Sequence, residues 1–302
     1  MNIIEIDHLT KDYGHNRGVF DVTFSVQKGE VYGFLGPNGA GKTSAIRHIM
    51  GFSKPHQGRT SVNGLDSWTN AHDIQKKLGY LPGEIAFPEN LTGTAFIQMM
   101  ADLRNVTDMK RTTYLLERFE LDPSGSLKRM SLGEKRKLAI VTAFMHDPDV
   151  LILDEPTSGL DPIMQDLFID FIKEEKQRGK TILLSSHIFS EIEATCDKIS
   201  IIKDGRLVSS FVADELRQSM EKTYSVIFQS AEVVKTFNVH GFKQTPGLTE
   251  TEIHIHIKNA QINDLIAALA NYDLYAFSEI PTSLEDYFMH FYDRNEKENE
   301  LV

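Results

Sequence analysis

The chain has 302 residues and a formal net charge of −11, because 43 acidic residues outnumber 32 basic ones; this surplus of acid disfavours binding of nucleic acid through a basic surface. Hydrophobic residues make up 41% and charged residues 25%, which excludes a disordered or fibrous chain. The single cysteine cannot form a disulfide within the chain, and no apolar run approaches the roughly 20 residues of a membrane helix. The start of the chain carries the acids Glu5 and Asp7 instead of a basic and then apolar secretion leader. We therefore expect a cytosolic chain.

The N-terminal stretch is typical of strands followed by a loop and a helix. Apolar and polar residues alternate over 20–26, the period of a half-buried strand. Residues 31–35 form a short apolar run ended by Gly36, as expected for a strand covered on both faces. We predict a helix over 42–50, so that residues 36–41 form the connecting loop.

This loop has the pattern of a phosphate-binding loop. The backbone N–H groups of such glycine-rich loops point at phosphate oxygens, and the helix N-terminus adds a favourable dipole. We therefore predict a nucleotide site in which Lys42 neutralises the β- and γ-phosphates, Thr43 holds Mg²⁺ and Ser44 reaches the α-phosphate. The predicted cofactor-binding residues of the loop are Gly36, Pro37, Asn38, Gly39, Ala40, Gly41, Lys42, Thr43 and Ser44.

The middle of the chain alternates helices with strands. Helical spacing runs from about residue 89 to 145, and its predicted apolar face consists of Phe96, Met99, Met100 and Leu103. Strand-like runs follow at 150–153 and 181–184, and the helix between them presents Ile163, Leu167, Phe168, Phe171 and Ile172. An Asp204-Gly205 turn joins strands 199–203 and 206–210 into a hairpin. The pattern predicts an α/β fold with a mainly parallel core, an antiparallel β part and a helical insert at about 85–145.

After about residue 220 the pattern changes to that of a small α+β domain. Strands are predicted at 224–228, 252–258 and 274–279, and helices at 261–271 and from Thr282, where Glu285 completes a capping box. We therefore place a core domain at 1–218 and an accessory domain with a charged tail at 219–302. His254 and His256 share one face of a strand, either as two metal ligands or, because no further ligand is evident, as its exposed face.

Charged side chains follow two of the predicted core strands. Asp154 and Glu155 end the 150–153 strand, and His187 follows the 181–186 strand. In a parallel sheet these ends lie at the edge where ligands bind. We predict that Asp154 holds Mg²⁺, that Glu155 orients or deprotonates an attacking water, and that His187 contacts the γ-phosphate.

The order of the remaining motifs resembles the ATP-binding subunit of ATP-binding cassette (ABC) transporters over residues 1–218. The segment Met130-Ser131-Leu132-Gly133-Glu134 precedes Asp154, Ser158-Gly159-Leu160-Asp161 follows Glu155, and His187 comes later. The likeness is greatest to the branch that exports drugs, peptides and antibiotics, in which the ATPase is a separate polypeptide. It implies an ABC-type P-loop NTPase core, with the α+β domain appended.

The resemblance also implies roles that the residues alone do not give. Tyr13 would stack on adenine, although by itself it is a surface aromatic on a turn. Ser131 and Gly133 would contact the ATP of a second copy of the chain, so that two chains sandwich two ATP molecules. By itself Ser131 is the cap of a helix, with Glu134 three residues on. Implied partners are an integral membrane permease and a second ATP-binding subunit, without nucleic acid, at the inner face of the cell membrane.

Two positions depart from the family pattern. Leu132 replaces a glycine next to Ser131, and we expect its side chain to narrow the space through which phosphate reaches the Ser131 end of the helix. Gly83 stands where the family has a glutamine that reaches Mg²⁺ and the water, and we assign no catalytic role to the neighbouring Glu84. The segment from 84 to about 130 would transmit motion to the permease, with Ile85 and Phe87 either docking that partner or forming local core.

Three functions are compared on the motifs and the composition of the chain. The first and best supported is an ATPase that energises a membrane exporter. A soluble ABC-type ATPase acting on ribosomes or DNA is the alternative from another class, but the single cassette, the lack of a sustained heptad repeat and the negative charge disfavour it. An importer ATPase with a C-terminal regulatory domain is the third, and the length of the C-terminal region fits the exporter branch better by resemblance.

Overall fold

The computed structural model describes residues 1–15, 17–215, 222–237 and 241–280. The chain divides into two compact units, Met1–Val212 and Ala213–Val302. The boundary predicted at 218 and the helix predicted from Thr282 lie outside the described residues. None of the helices in the described ranges combines the length and the apolar character needed to cross a membrane.

A small antiparallel sheet begins the first unit. It consists of β1 (Asn2–Asp12), β2 (Gly18–Gln27), β4 (Gln57–Val62) and β5 (Leu65–Asp66), in the order β2-β1-β4-β5. Every second residue of β2 from Val22 to Val26 is buried, which confirms the alternation predicted for this strand. This sheet is the antiparallel β part expected from the sequence.

The larger sheet of this unit brings the predicted strand ends together. It contains β3 (Val31–Leu35), β6 (Leu78–Leu81), β7 (Val150–Asp154), β8 (Thr181–Ser186), β9 (Lys198–Lys203) and β10 (Arg206–Val212). The order is β10-β9-β3-β8-β7-β6, and all neighbours are parallel except β10, the second strand of the predicted hairpin. Because β3, β7 and β8 are buried along their whole length and run parallel, their carboxyl ends meet at one edge.

Helices surround this sheet. In chain order they are α1 (Lys42–Ile49), α2 (Ala71–Lys77), α3 (Gly93–Arg104), α4 (Lys110–Arg118), α5 (Leu132–Phe144), α6 (Pro162–Gln177) and α7 (Phe189–Thr195). The helices α3 to α5 form the predicted insert. The fully buried Phe171 of α6 packs against Phe119 and Phe144, with ring centroids 5.3 and 4.9 Å apart, and Arg111 of α4 forms an ion pair with the buried Glu175 of α6. These contacts fix the insert to the core.

Two of the predicted apolar faces are wrong in part. In α3 the buried residues are Phe96, Ile97 and Ala101, whereas Met99 and Leu103 are exposed. In α6 Met164 is buried and Ile163 is 75% exposed. The other part of each face is as predicted, with Phe96 buried in α3 and Phe168, Phe171 and Ile172 buried in α6. Each helix carries more apolar residues than one stripe holds, and packing against the core decides which of them are covered.

The second unit is a four-stranded antiparallel sheet with helices. It contains β11 (Lys222–Phe228), α8 (Ala231–Thr236), β12 (Lys243–Pro246), β13 (Glu252–Ile257), a 3₁₀ turn (Asn259–Gln261), α9 (Ile262–Leu269) and β14 (Leu274–Ile280). The strand order is β12-β13-β11-β14. The sequence did not predict β12 or α8.

The two histidines of β13 lie on the face opposite its buried isoleucines. His254 Nε2 is 3.2 Å from Glu252 Oε1. His256 Nδ1 is 3.0 Å from the Thr223 hydroxyl, and His256 Nε2 is 3.0 Å from the Thr245 hydroxyl. Among the residues that the structure describes, no group of three or more His, Cys, Asp or Glu side chains has the arrangement of a metal site. The histidines are therefore part of a polar surface of the sheet.

The β9–β10 turn supports the phosphate loop. Gly205 donates its N–H to the Ala40 carbonyl (2.9 Å) and accepts from the Phe20 N–H (2.7 Å). Asp204 and Gly205 have φ values of 49° and 75°, those of a type I′ turn, and a Cβ on Gly205 would lie 2.5 Å from the Gly18 carbonyl oxygen. The β4–β5 turn has the same conformation, but a Cβ on its Gly64 (φ 76°) would have no neighbour within 4 Å.

This pair of turns separates a steric effect from a conformational one. Gly64→Ala should lower the free energy of unfolding by about 1 kcal/mol, the cost of placing alanine in the left-handed region. Gly205→Ala should cost about 2 kcal/mol more, because its Cβ would also lie 2.5 Å from the Gly18 carbonyl oxygen and the backbone would have to shift. Urea denaturation of both variants measures the difference. Equal losses of unfolding free energy would show that the Gly205 turn has room for the added Cβ.

Candidate functional site

The phosphate loop links β3 to α1. The Ala40 N–H donates to the Pro37 carbonyl (3.1 Å) and closes a turn within the loop. Gly41 occupies the N-cap position of α1, with φ 109°, and no side chain caps this helix end. The N–H groups of the first turn of α1 are thus suited to an anion.

Lys42 lies inside the loop and is 5% exposed. Its Nζ donates to the carbonyl oxygens of Gly36 (2.5 Å) and Pro37 (3.2 Å), and it forms an ion pair with Glu155 Oε1 at 2.9 Å. A buried ammonium group requires such partners, because leaving water without them is costly. The lysine therefore connects the end of β3 to the end of β7.

Asp154 is completely buried at the end of β7. Its Oδ2 accepts a hydrogen bond from Thr43 Oγ1 (2.8 Å) and its Oδ1 accepts one from Ser185 Oγ (2.5 Å). The hydroxyl of Thr43 and the carboxylate of Asp154 are adjacent hard oxygen ligands, the type that Mg²⁺ prefers. The two residues predicted to hold Mg²⁺ are thus brought together.

Glu155 and His187 form a second contact at the same edge. His187 Nδ1 is 2.6 Å from Glu155 Oε2, so the two oxygens of this carboxylate contact His187 and Lys42 respectively. Glu155 has φ 50°, the left-handed region that glutamate rarely adopts, and its N–H donates to the Ser185 carbonyl (3.0 Å). This backbone conformation turns the side chain away from the strand and toward the loop lysine.

A cavity of about 560 Å³ opens at this sheet edge. Its volume is within the range of small-molecule sites. The lining includes predicted residues and several that were not predicted: Asn38, Thr43, Arg47, Phe52, Tyr80, Pro82, Gly83, Glu84, Asp154, Glu155, Ser158 and His187. Burial raises the pKa of the Tyr80 phenol to about 12, so the Tyr80 hydroxyl keeps its proton at physiological pH.

Position 83 presents backbone to the acidic strand end. A Cβ on Gly83 would lie 3.1 Å from Asp154 Oδ2, closer than most side chains pack. Glu84 is exposed at the cavity rim. Ile85 and Phe87 are half-buried, and the Phe87 ring lies 4.7 Å from that of Phe96 in α3, which makes Phe87 part of the local core of the insert.

The other predicted contact residues lie away from this lining. Tyr13 is 52% exposed in the β1–β2 connection, with Lys11 Nζ 5.8 Å from its ring centroid. Ser131 is exposed and caps α5: Ser131 Oγ accepts from the Glu134 N–H (3.2 Å), and the Glu134 carboxylate accepts from the Ser131 N–H and Oγ (both 2.8 Å). The predicted capping box is confirmed. The Ser131 N–H also lowers the pKa of Glu134, which keeps that carboxylate charged.

The first turn of α5 packs on the loop after Glu155. Leu132 is 61% exposed, and a Cβ on Gly159 would lie 2.8 Å from the Leu132 side chain. A Cβ on Gly133 would lie 3.3 Å from the Gly159 carbonyl oxygen. Ser131 and Gly133 thus lie where α5 meets the 158–161 loop.

Sequence reasoning missed three polar residues that shape the site. Ser185 donates a hydrogen bond to Asp154, the buried Arg136 of α5 donates to the carbonyls of two cavity loops, and the buried Glu191 accepts a hydrogen bond from Ser186, the residue before His187. The two serines that end the otherwise apolar β8 were a usable signal, because polar residues at a buried strand end need a partner.

The matches to known proteins agree with this geometry. A family model described as "ABC transporter" matches residues 19–158. The bacitracin transport ATP-binding protein BcrA of Bacillus licheniformis is 33% identical over 299 residues, covering 95% of this chain and 96% of that protein. Its counterpart from Enterococcus faecalis is 37% identical over 73% of this chain and 72% of its own length. A solved ATP-binding subunit of an ABC transporter superposes with a TM-score of 0.66 and 32% identity, covering 71% of this chain and 92% of that one.

Glu191 is a buried acid next to the site. Ser186 Oγ donates to its Oε2 (2.6 Å) and accepts from the Ile188 N–H (3.0 Å), so the pair shapes the turn that carries His187. Burial raises the pKa of Glu191 to about 7, and the charge of Glu155 adds to that increase. Between pH 4.5 and about 7 the folded protein keeps this proton while the unfolded chain has lost it, so stability falls as pH rises.

Glu191→Gln should remove that pH dependence. Relative to the wild type, the free energy of unfolding of the variant should increase by up to about 3 kcal/mol between pH 4.5 and 7.5 and then level off. Urea denaturation across this range measures it, with Glu120→Gln, an exposed glutamate, as the matched control. A constant offset between variant and wild type at every pH would contradict a buried, protonated Glu191.

Proposed function

The chain belongs to the ABC transporter family and hydrolyses ATP, and we propose that this hydrolysis powers a membrane exporter through closure and reopening of a dimer. The name of the relative that matches 95% of the chain supports export of an antibiotic of the bacitracin kind. That match extends through the C-terminal unit, which favours export over import and over soluble ribosome- or DNA-associated roles.

One observation carries the proposal. Lys42 begins α1, Glu155 follows β7 and His187 follows β8. Glu155 contacts Lys42 at 2.9 Å and His187 at 2.6 Å, beside the Thr43–Asp154 pair. A cation for phosphate, a base for water and a pair of oxygen ligands for a metal are thus held within one cavity. These are the groups that phosphoryl transfer to water requires.

ATP binding changes the partners of Lys42. Its ammonium now contacts two carbonyls and Glu155, and the β- and γ-phosphates replace these contacts. Glu155 Oε1 is released at the same step and becomes available to a water. The residues 36–44 hold the phosphates, and Tyr13 stacks on the adenine.

Thr43 and Asp154, which lie 2.8 Å apart, would hold the Mg²⁺ that accompanies ATP. When bound, the metal would neutralise charge on the phosphate oxygens. Ser185 keeps the Asp154 carboxylate oriented through its 2.5 Å hydrogen bond, because a buried carboxylate with a fixed donor has little freedom to rotate.

Glu155 acts as the general base. Its carboxylate accepts a proton from water as the water oxygen attacks the γ-phosphorus and the bond to the ADP oxygen breaks. His187 contacts Glu155 Oε2 and fixes the orientation of the carboxylate toward the γ-phosphate. Lys42 stabilises the charge that develops on the phosphate oxygens.

Dimer closure depends on the γ-phosphate. The exposed Ser131 end of α5, with Gly133, contacts the ATP held by the second subunit, and the helix N-terminus favours that anion. Loss of the γ-phosphate removes the contact and reopens the dimer. The exposed Met99 and Leu103 of α3 dock the membrane permease, which places the chain at the cytoplasmic face of the membrane.

Glu155→Gln should separate binding from turnover. ATP hydrolysis should fall by about 10²- to 10⁴-fold, because the amide does not accept the proton of the water. Binding of a fluorescent ATP analogue should be as tight or tighter, since the amide competes less well than the carboxylate for Lys42. Phosphate release and equilibrium titration measure the two quantities, with the exposed Glu89→Gln as control. Hydrolysis at the wild-type rate would remove Glu155 from its role.

Lys42→Ala should abolish stabilisation by nucleotide. At 100 times the dissociation constant, ATP with Mg²⁺ should stabilise the wild type by about 2.7 kcal/mol, a shift of roughly 5 °C in melting temperature. Scanning calorimetry with and without nucleotide measures the shift, and Lys77→Ala, which removes an exposed lysine of α2, should retain it. A full shift in Lys42→Ala would contradict the phosphate-loop assignment.

A further inference from the structure

Arg136 is a buried cation on α5. It is 2% exposed, and among the described residues no carboxylate oxygen lies within 4 Å of its guanidinium. Its three hydrogen bonds go instead to backbone carbonyls: Nη1 to Pro82 (2.9 Å), Nη2 to Gly83 (2.7 Å) and Nε to Ser158 (2.9 Å). Arginine alone among the side chains carries donors in a fixed fork that reaches three acceptors at once.

The three acceptors belong to two walls of the nucleotide cavity. Pro82 and Gly83 follow β6, Ser158 follows the acidic end of β7, and all three residues line the cavity. The Gly83 wall lies against the carboxylate of Asp154. Arg136 therefore fixes the distance between the two loops that flank the acidic strand end.

The charge of Arg136 is supported by the site. Burial lowers the pKa of its guanidinium, and the negative charges of Asp154 and Glu155 act in the opposite direction. A neutral residue of the same size would fill the space, but it would remove this counter-charge and all three hydrogen bonds. Packing alone does not require an arginine here.

The same helix begins at Leu132, directly after the Ser131 cap. Five residues of helix span about 7 Å, so Arg136 lies little more than one turn from the end that carries Ser131. A displacement of this helix end moves the guanidinium group of Arg136. Through its hydrogen bonds the guanidinium then moves the loops at Gly83 and Ser158. The helix thus joins the surface that meets a second subunit to the cavity of its own subunit.

We propose that Arg136 is a positioning residue that couples the two ATP sites of the dimer. It holds the Gly83 and Ser158 loops of one subunit in register with the Ser131 end that contacts the nucleotide of the other. This inference rests on the function proposed above. Closure around the partner's ATP thereby sets the geometry in which Glu155 of the same chain hydrolyses its own ATP.

The test compares three variants. Arg136→Met keeps an unbranched side chain without the charge, and Arg136→Lys keeps the charge with a single donor group. Lys137→Met is the control on the same helix. For Arg136→Met we expect binding of a fluorescent ATP analogue within about threefold of wild type and a kcat lower by about 100-fold, because a displacement near 1 Å has that effect. The Hill coefficient for ATP should fall from above 1 to 1. Arg136→Lys should lie between this variant and wild type, and Lys137→Met should match wild type.

Mixed dimers with one Glu155→Gln subunit distinguish coupling from a local role. They bind ATP at both sites but hydrolyse it at one, which is built from the phosphate loop and Glu155 of the unaltered subunit and Ser131 of the other. Coupling predicts that Arg136→Met lowers the remaining hydrolysis when placed in either subunit. A local role predicts loss only in the subunit that supplies the phosphate loop, and that result would overturn the proposal.

Stability and wild-type activity separate the remaining outcomes. If nucleotide binding and the urea midpoint of unfolding fall in parallel with hydrolysis in both Arg136→Met and Arg136→Lys, Arg136 is structural and the proposal is wrong. A wild-type Hill coefficient of 1 also overturns it while leaving the proposed function intact. A wild-type chain that binds ATP without hydrolysing it contradicts the proposed function itself.

Discussion

The ion pair between Lys42 and Glu155 is the contact on which the rest of the site depends. It joins the phosphate loop to the acidic end of β7, and His187 extends it to the end of β8. The pair forms only because three parallel, fully buried strands end at one edge. In the proposed mechanism, the lysine that binds phosphate also binds the base, so that phosphate entering the loop releases Glu155.

The supporting structure around this pair uses backbone more than side chains. The Gly205 N–H donates to the Ala40 carbonyl of the phosphate loop, and the Glu155 N–H donates to the Ser185 carbonyl. Arg136 donates to three backbone carbonyls. Backbone acceptors tolerate many side chains at their own positions. Gly83 is an exception, because Arg136 binds its carbonyl but an added Cβ at this position would lie 3.1 Å from Asp154 Oδ2.

Local patterns in the sequence were sufficient for the nucleotide side of the site. The phosphate loop, the acids after β7, His187 and the Ser131–Glu134 box each have a signal within a few residues. Arg136 has none: it sits in a Lys-Arg-Lys run typical of a solvated face, and its partners are distant in the chain. The exposed Met99 and Ile163 were misplaced because tertiary packing selects among apolar stripes. The polar β12, which ends in Pro246, has no strand pattern to detect.

The left-handed backbone of Glu155 has a consequence for sequence change at this position. Glycine or asparagine would relax the φ of 50°, whereas glutamate retains the strain. Either replacement would also leave the buried ammonium of Lys42 without its carboxylate partner. Under the proposed function it would silence the enzyme as well, so the strained backbone at position 155 is tied to the chemistry of the site.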